Sequence, residues 1–263
     1  MRSYLALARG QYMAGIIYRF GFLFAILGNV VYMGVAYFLW KSIYRNSETL
    51  RGLTFDQAFL YIALGSAVFI LLKTYTDWYM AYEIREGLIT NQLVKPLDYQ
   101  LYVLFGNLGA VLINMTGITL PTLILLFAVF RTPVTWGVGL LIFPFSLILA
   151  FLVSFCFDYF IGLMAFYTDS NWGLSMTKEI IITAFSGALI PLQFFPESLQ
   201  KILLWLPFQA IYHTPLMMVT KPDLGLETFL RMLGVQALWV VVLFALTRLF
   251  YNQAIKVLRI GGG

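Results

Sequence analysis

Residue types able to do covalent or metal chemistry are few and scattered. Cys156 is the only cysteine and His213 the only histidine in 263 residues. No internal disulfide can form, and the two residues are too far apart in the chain to give a metal-ligand spacing. Both read as structural, with Cys156 inside an apolar run. No H-E-x-x-H occurs, no G-x-x-x-x-G-K-[ST] cradles a nucleotide phosphate, and no serine nucleophile has a histidine near it. Metal-dependent catalysis would need clustered carboxylates, yet only Asp158 lies well inside an apolar stretch. The expectation is a chain with no catalytic residue, no metal and no cofactor of its own. Anything it moves uphill draws energy from a partner or from ion coupling.

The elements that position these residues follow from composition. Hydrophobic residues make up 61% of the chain and charged residues 11%, against roughly 45–50% and 25% in soluble domains. Such a chain cannot build a polar shell, so lipid must be the solvent for much of its surface. A spanning helix takes about 20 residues, and the apolar runs fit about six. No stretch is left for a second, soluble domain, so residues 1–263 read as one membrane domain. The net charge of +5 does not point to nucleic acid, because the Lys and Arg residues flank apolar runs, as headgroup contact and topology control require.

Residues 3–18 put Tyr4, Leu5, Leu7, Ala8, Tyr12, Ile16 and Ile17 near one helical face, which predicts an amphipathic helix in the interface plane within residues 1–19. That stretch is interrupted by Arg9 and Arg19 and does not have the form of a cleaved signal. The first span is Phe20–Trp40, bracketed by Arg19 and Lys41, and a polar loop follows to Asp56. The second span starts near Gln57 and is uncharged to Leu72. Its helix is expected to continue past Lys73 and Asp77, which are four apart and can pair on one face. Tyr75, Trp78, Tyr79 and Tyr82 form an aromatic belt at this end. Residues 83–100 are the most polar stretch, with Gly87 able to end a helix and Pro96 able to block one.

The third span is predicted at 103–130, kinked at Pro121, and Arg131-Thr132-Pro133 makes a turn. The fourth apolar run, Val134–Thr168, exceeds the bilayer core and must tilt or project. Asp158 inside it has two readings: a functional intramembrane acid, or a carboxylate near the inner face paired with a Lys or Arg. A polar link, Asp169–Glu179, comes next. From Ile180 to Phe195 the run is cut by Gly187, Pro191 and Pro196, and Ile202–Phe208 is broken again at Pro207. Neither half can cross alone, so residues 180–208 predict a span that stops short and a re-entrant hairpin. Broken backbone at depth is tolerated only under cover of protein or along a cavity. The last span runs from Phe229 or Met232 to Phe250, with Lys256, Arg259 and Gly261-Gly262-Gly263 on the tail. With both termini inside, ten Lys and Arg fall on the inner side and seven on the outer, a small bias in the expected direction.

Three features together resemble the permease subunit of a bacterial type-2 ABC exporter: an amphipathic N-terminal helix, a polar stretch between spans two and three, and a broken hairpin between spans five and six. The polar stretch, Glu83-Ile84-Arg85-Glu86-Gly87 then Leu93-Val94-Lys95-Pro96-Leu97, is similar to that family's charged residues, Gly, leucine pair and Pro-Leu. The hairpin, Ser186-Gly187-Ala188-Leu189-Ile190-Pro191-Leu192 with Phe195-Pro196 and Leu206-Pro207-Phe208, resembles its small-Gly-x-x-x-Pro-Leu and Leu-Pro-Phe signatures. The Lys95-Pro96-Leu97-Asp98 form and the chain length resemble permeases that occur as paired, non-identical subunits. The chain departs from drug-exporter members, in which Glu-Arg-x-x-Gly-Thr is common at the leading charged element.

The resemblance implies an all-α polytopic permease of six transmembrane helices, acting as half of a dimer in a prokaryotic plasma membrane with both termini cytoplasmic. The second permease subunit would be identical or paralogous. Two ABC ATPase subunits would hold ATP and Mg. They would dock on a coupling helix carrying Glu83, Arg85, Glu86, Gly87, Leu88, Leu93, Lys95 and Pro96. Gly187, Pro191, Phe195, Pro196, Pro207 and Phe208 would form a re-entrant gate at the outer end. The pathway would lie at the dimer interface or between the first, second and fifth spans, for amphipathic cargo such as a drug, lipid, peptide or glycan. Two rivals stand beside this reading. An ion-coupled secondary transporter would normally show inverted repeats and midplane ionisable residues. A non-transporting membrane scaffold leaves the broken fifth segment without a purpose.

Overall fold

The computed structural model describes residues 1–257. Arg259 and the Gly261–Gly263 run lie outside the described residues. Helices are α1 (Arg2–Ile16), α2 (Arg19–Ile43), α3 (Phe55–Leu72), α4 (Thr76–Arg85), α5 (Thr90–Leu93), α6 (Tyr99–Asn114), α7 (Leu120–Phe130), α8 (Val138–Leu163), α9 (Trp172–Phe185), α10 (Glu197–Trp205), α11 (His213–Thr220) and α12 (Gly225–Ala254). The chain is an all-α polytopic membrane protein. Among the described residues, five helical stretches are long and apolar enough to cross a membrane: Arg19–Asn46, Phe55–Arg85, Tyr99–Phe130, Val138–Phe166 and Pro222–Val257. The fifth apolar segment is carried by α9, whose 14 residues reach about 21 Å at 1.5 Å per residue, short of a hydrocarbon core of about 30 Å.

The loop after α2 contains a hairpin that the apolar pattern does not announce: β1 (Thr49–Leu50) pairs antiparallel with β2 (Leu53–Thr54). Arg51 and Gly52 turn it with φ of 50° and 77°, the positive angles a two-residue hairpin turn requires. Thr54 then caps α3 through a capping box with Gln57, which satisfies two orphan N–H groups and sets where the second span begins.

The second span is not one helix. Instead of running past Lys73 and Asp77, α3 stops at Leu72, Lys73 is extended, and Tyr75 takes φ 54° before α4 starts. A third-span side chain supplies the reason. The Asn114 side-chain amide donates to the carbonyls of Ile70 (3.2 Å), Leu71 (3.4 Å) and Lys73 (3.0 Å), satisfying groups that an interrupted helix leaves bare in an apolar setting. Lys73 and Asp77 therefore do not pair with each other.

The third span runs from α6 to α7 through a π-helical turn at Met115–Thr119, where the Leu120 N–H bonds the Met115 carbonyl. Pro121 follows at once, has no N–H for the Gly117 carbonyl and crowds it, so the helix widens there. Helix α1 packs lengthwise on α6. The backbone N–H of Asp98 donates to the Tyr4 hydroxyl at 2.9 Å, and the Tyr4 ring lies 5.3 Å from Phe105. Further along, a Cβ on Gly109 would sit 2.3 Å from the Ala8 carbonyl, and one on Gly15 would sit 2.9 Å from Ile113. Small residues are what let two such backbones approach where apolar burial alone drives little association.

Helix α8 is the centre of the bundle, touching α4, α6, α9, α11 and α12. Its glycines are the points of closest approach: a Cβ on Gly139 would meet the Met218 carbonyl of α11 at 2.0 Å, and one on Gly162 the Met80 sulfur of α4 at 2.8 Å. Helix α9 begins at Trp172, so the expected polar link Asp169–Glu179 is mostly helix and the connection is only a few residues. Helix α12 begins at Gly225, ahead of the predicted Phe229. Helix α11 has no counterpart in the sequence pattern: all eight of its residues are buried, so no polar face marks it.

Candidate functional site

Four groups of residues stand out along the second span and the segments packed on it. The first is the surface formed by the end of α4 and by α5. Gly87, at φ 69°, lets the chain turn away from α4, while the Gly87 N–H bonds the Ile84 carbonyl at 3.2 Å and the Ile89 N–H bonds Glu83 at 3.0 Å. Ile89 is fully buried and anchors the turn. Glu86, Leu88, Lys95 and Pro96 are exposed, and the Lys95 ammonium donates to the Gln92 side chain. Three residues of the expected docking set are engaged within the chain. Arg85 donates to its own helix at Ala81 (3.1 Å) and across to the Asp169 carbonyl (3.0 Å), tying α4 to the α8–α9 link. Leu93 is half-buried against the core. Glu83 is half-buried and lines a cavity with Gln11 and Asn107. Val94, which the motif passes over, is 83% exposed.

Behind this surface sits a buried charge cluster. The Lys178 ammonium donates to Asp77 at 2.8 Å and also to Asp158, all three being buried. One turn away, Lys73 pairs with Glu179 at 2.6 Å. The bridges join the second span's break, the fourth span and the fifth. The partner of Asp158 is thus Lys178, a residue that composition assigns to a solvated link.

The third group is the broken segment after α9. Gly187 adopts φ 84°, and a Cβ there would lie 2.7 Å from the Tyr61 hydroxyl. The His213 N–H returns to the Ser186 carbonyl at 3.0 Å, and the Tyr61 hydroxyl lies 3.4 Å from the His213 ring nitrogen. Pro191 is buried and Phe195 partly so; Pro196 precedes α10, and Pro207 opens a short turn of 3-10 helix. Phe208 stacks on Phe157 of α8 at 5.5 Å. Gln236 of α12, fully buried, secures the return: its amide donates to Ala210 (2.7 Å) and Ser146 (3.2 Å) carbonyls and accepts from the Ser146 hydroxyl (2.8 Å). These contacts satisfy non-helical backbone at depth.

The fourth group is a cleft of about 420 Å³ between α2, α3, α9 and the turn after Gly187. Its wall is mostly apolar, with Asn29, Ser66 and Glu179 as polar points. Asn29 is only 6% exposed, and its amide nitrogen has no partner among the described residues.

Sequence reasoning missed the pairing of Asp77 and Asp158 with Lys178 and of Lys73 with Glu179, and it missed Asn114 and Gln236 as partners of broken backbone. One signal was present: Lys178 and Glu179 directly precede the apolar run from Ile180, a place where a helix carries charge inward.

A family model described as ABC-2 family transporter protein matches residues 30–262. Comparison with curated proteins returns no match.

Proposed function

The chain belongs to the ABC-2 transporter family, and from that premise we propose that it is the exporting permease of an ATP-driven transporter, working as a dimer with two separate ATPase subunits. Membership makes it a membrane component of an ABC transporter. The finer assignments are ours: a prokaryotic plasma membrane, cytoplasmic termini, and ATP with Mg held by the partners.

One observation carries the reading: the exposed Glu86–Lys95 surface is wired to the fifth segment. Movement of α4 is transmitted through Asp77 to Lys178 on α9, and Arg85 carries it to the α8–α9 link. A push on this surface therefore moves α9, which walls the cleft between the first, second and fifth segments. That cleft suits an amphipathic cargo, with an apolar body against α2 and α3 and a polar end at Asn29 and Glu179. The segment from Gly187 to Phe208 gates its end.

The test is purification in mild detergent followed by mass spectrometry and an ATPase assay. A P-loop ATPase should co-purify, and the combined exposed-surface variant Glu86→Lys, Leu88→Asp and Val94→Asp should release it without unfolding the permease. Recovery of the chain alone, with no ATPase activity in any preparation, would overturn the reading in favour of an ion-coupled carrier.

A further inference from the structure

The charge cluster does not balance. Asp77, Asp158 and Glu179 contribute three carboxylates, Lys73 and Lys178 two ammonium groups, leaving a formal charge of −1. All five line one cavity of about 50 Å³. Around it stand α4 with Asp77, α8 with Asp158, α9 with Lys178 and Glu179, and the break with Lys73; the phenols of Tyr75 and Tyr212 complete the wall. Ser175 also lines this cavity and is 2% exposed, and its hydroxyl has no partner among the described residues.

An uncompensated charge is costly to hold away from water, and an idle hydroxyl beside it marks room for something to bind. The space admits an occupant of one or two water volumes, each about 30 Å³. We propose that this cavity takes up one unit of positive charge, either a proton held on the Asp77–Lys178–Asp158 triad or a monovalent cation seated against Ser175. Occupied, the junction of the second, fourth and fifth segments is neutral and closed. Empty, Asp77 and Asp158 share one ammonium and repel each other, and the junction loosens. The site belongs to the chain alone, so it stands or falls independently of any ATPase partner.

The experiment uses the purified chain in lipid nanodiscs. Thermal unfolding is followed against pH in sodium, potassium or choline chloride at equal ionic strength, with infrared spectra in the protonated-carboxyl region. A held proton gives a carboxylic acid band at neutral pH and a Tm that falls as pH rises, because the folded state keeps a proton that the unfolded state releases. Asp158→Asn then removes both signals without lowering Tm, since the amide mimics the neutral form. A held cation instead gives a saturable rise in Tm with sodium or potassium but not choline, lost in Ser175→Ala. Absence of the band, of pH dependence and of any cation-specific shift in wild type overturns the proposal and leaves a closed ion-pair cluster. Should Asp158→Asn fail to fold, Asp77→Asn reports the same signals, and the wild-type measurements decide the question without either variant.

Discussion

Asn114 donates its side-chain amide to the Lys73 carbonyl at 3.0 Å, at the residue where the second span stops being helical. One amide thereby covers backbone that no neighbouring turn can satisfy. Replacing it by Leu should bare the carbonyls of Leu71 and Lys73, while Ile70 keeps the Lys73 N–H, at a cost of about 1–3 kcal/mol. Asp, which has only acceptors when ionised, should be worse than Leu. Detergent unfolding monitored by tryptophan fluorescence would read both; equal stability of all three proteins would show that the break holds itself.

Lys178 is the single ammonium between Asp77 and Asp158. Lys178→Met should destabilise by about 3–5 kcal/mol, the range for leaving a buried pair with one partner missing. Restoring charge balance with Asp77→Asn and Asp158→Asn in the same chain should recover most of the loss. Lys178→Met alone, the two Asn substitutions alone, all three together and wild type make a cycle in which additivity would argue against direct coupling.

Gly109 lies where α1 and α6 meet. Gly109→Val places atoms inside the distance already set by the Ala8 carbonyl at 2.3 Å from a Cβ. Overpacking of this kind costs about 1–3 kcal/mol, and the cheapest relief is for α1 to lift away. Cysteines placed at Tyr4 and Phe105, whose rings are in contact, should be joined by a short bismaleimide linker in the chain with Gly109 and lose that cross-link in the valine variant.

Gln236 secures the returning chain at Ala210. Gln236→Leu should leave the Ala210 carbonyl and the Ser146 hydroxyl unpaired, costing about 1–3 kcal/mol. The damage should be local, seen as faster hydrogen exchange over 207–212 with the exchange of α2 unchanged.

Arg85 and Glu86 are adjacent but should behave differently. Arg85→Ala removes the bond to Asp169 and should loosen the α8–α9 link even in the isolated chain. Glu86→Ala is a surface change, expected within about 0.5 kcal/mol of wild type in stability. A thermal shift assay separates them before any partner is added.

Residues that act through their own covalent chemistry were legible without a structure. Gly187 with Pro191, Pro196 and Pro207 dictates a broken backbone wherever it lies, because positive φ and missing N–H groups are local facts. The lengths of the apolar runs likewise determined an all-α membrane chain, since only helices or closed barrels satisfy backbone groups in lipid. Pairing was a different matter. Lys73 with Asp77 is a sound local guess, because residues four apart on a helix are neighbours, but it assumes the helix continues.

The sequence by itself determined that this is a polytopic, all-α membrane protein and that its backbone is broken between Gly187 and Pro207, but not that the second span is interrupted at Lys73–Tyr75. Only the tertiary structure decided that Lys178 meets Asp77 across 101 positions and Asp158 across 20. It also decided that Arg85 reaches across to the Asp169 carbonyl, and that His213–Thr220 is a buried helix. The physical reason is range. Apolar length and proline geometry act within a turn or two of chain. The placement of a charge in a low-dielectric interior depends on which distant helix brings its counter-charge, here α9 with Lys178 against Asp77 of α4 and Asp158 of α8.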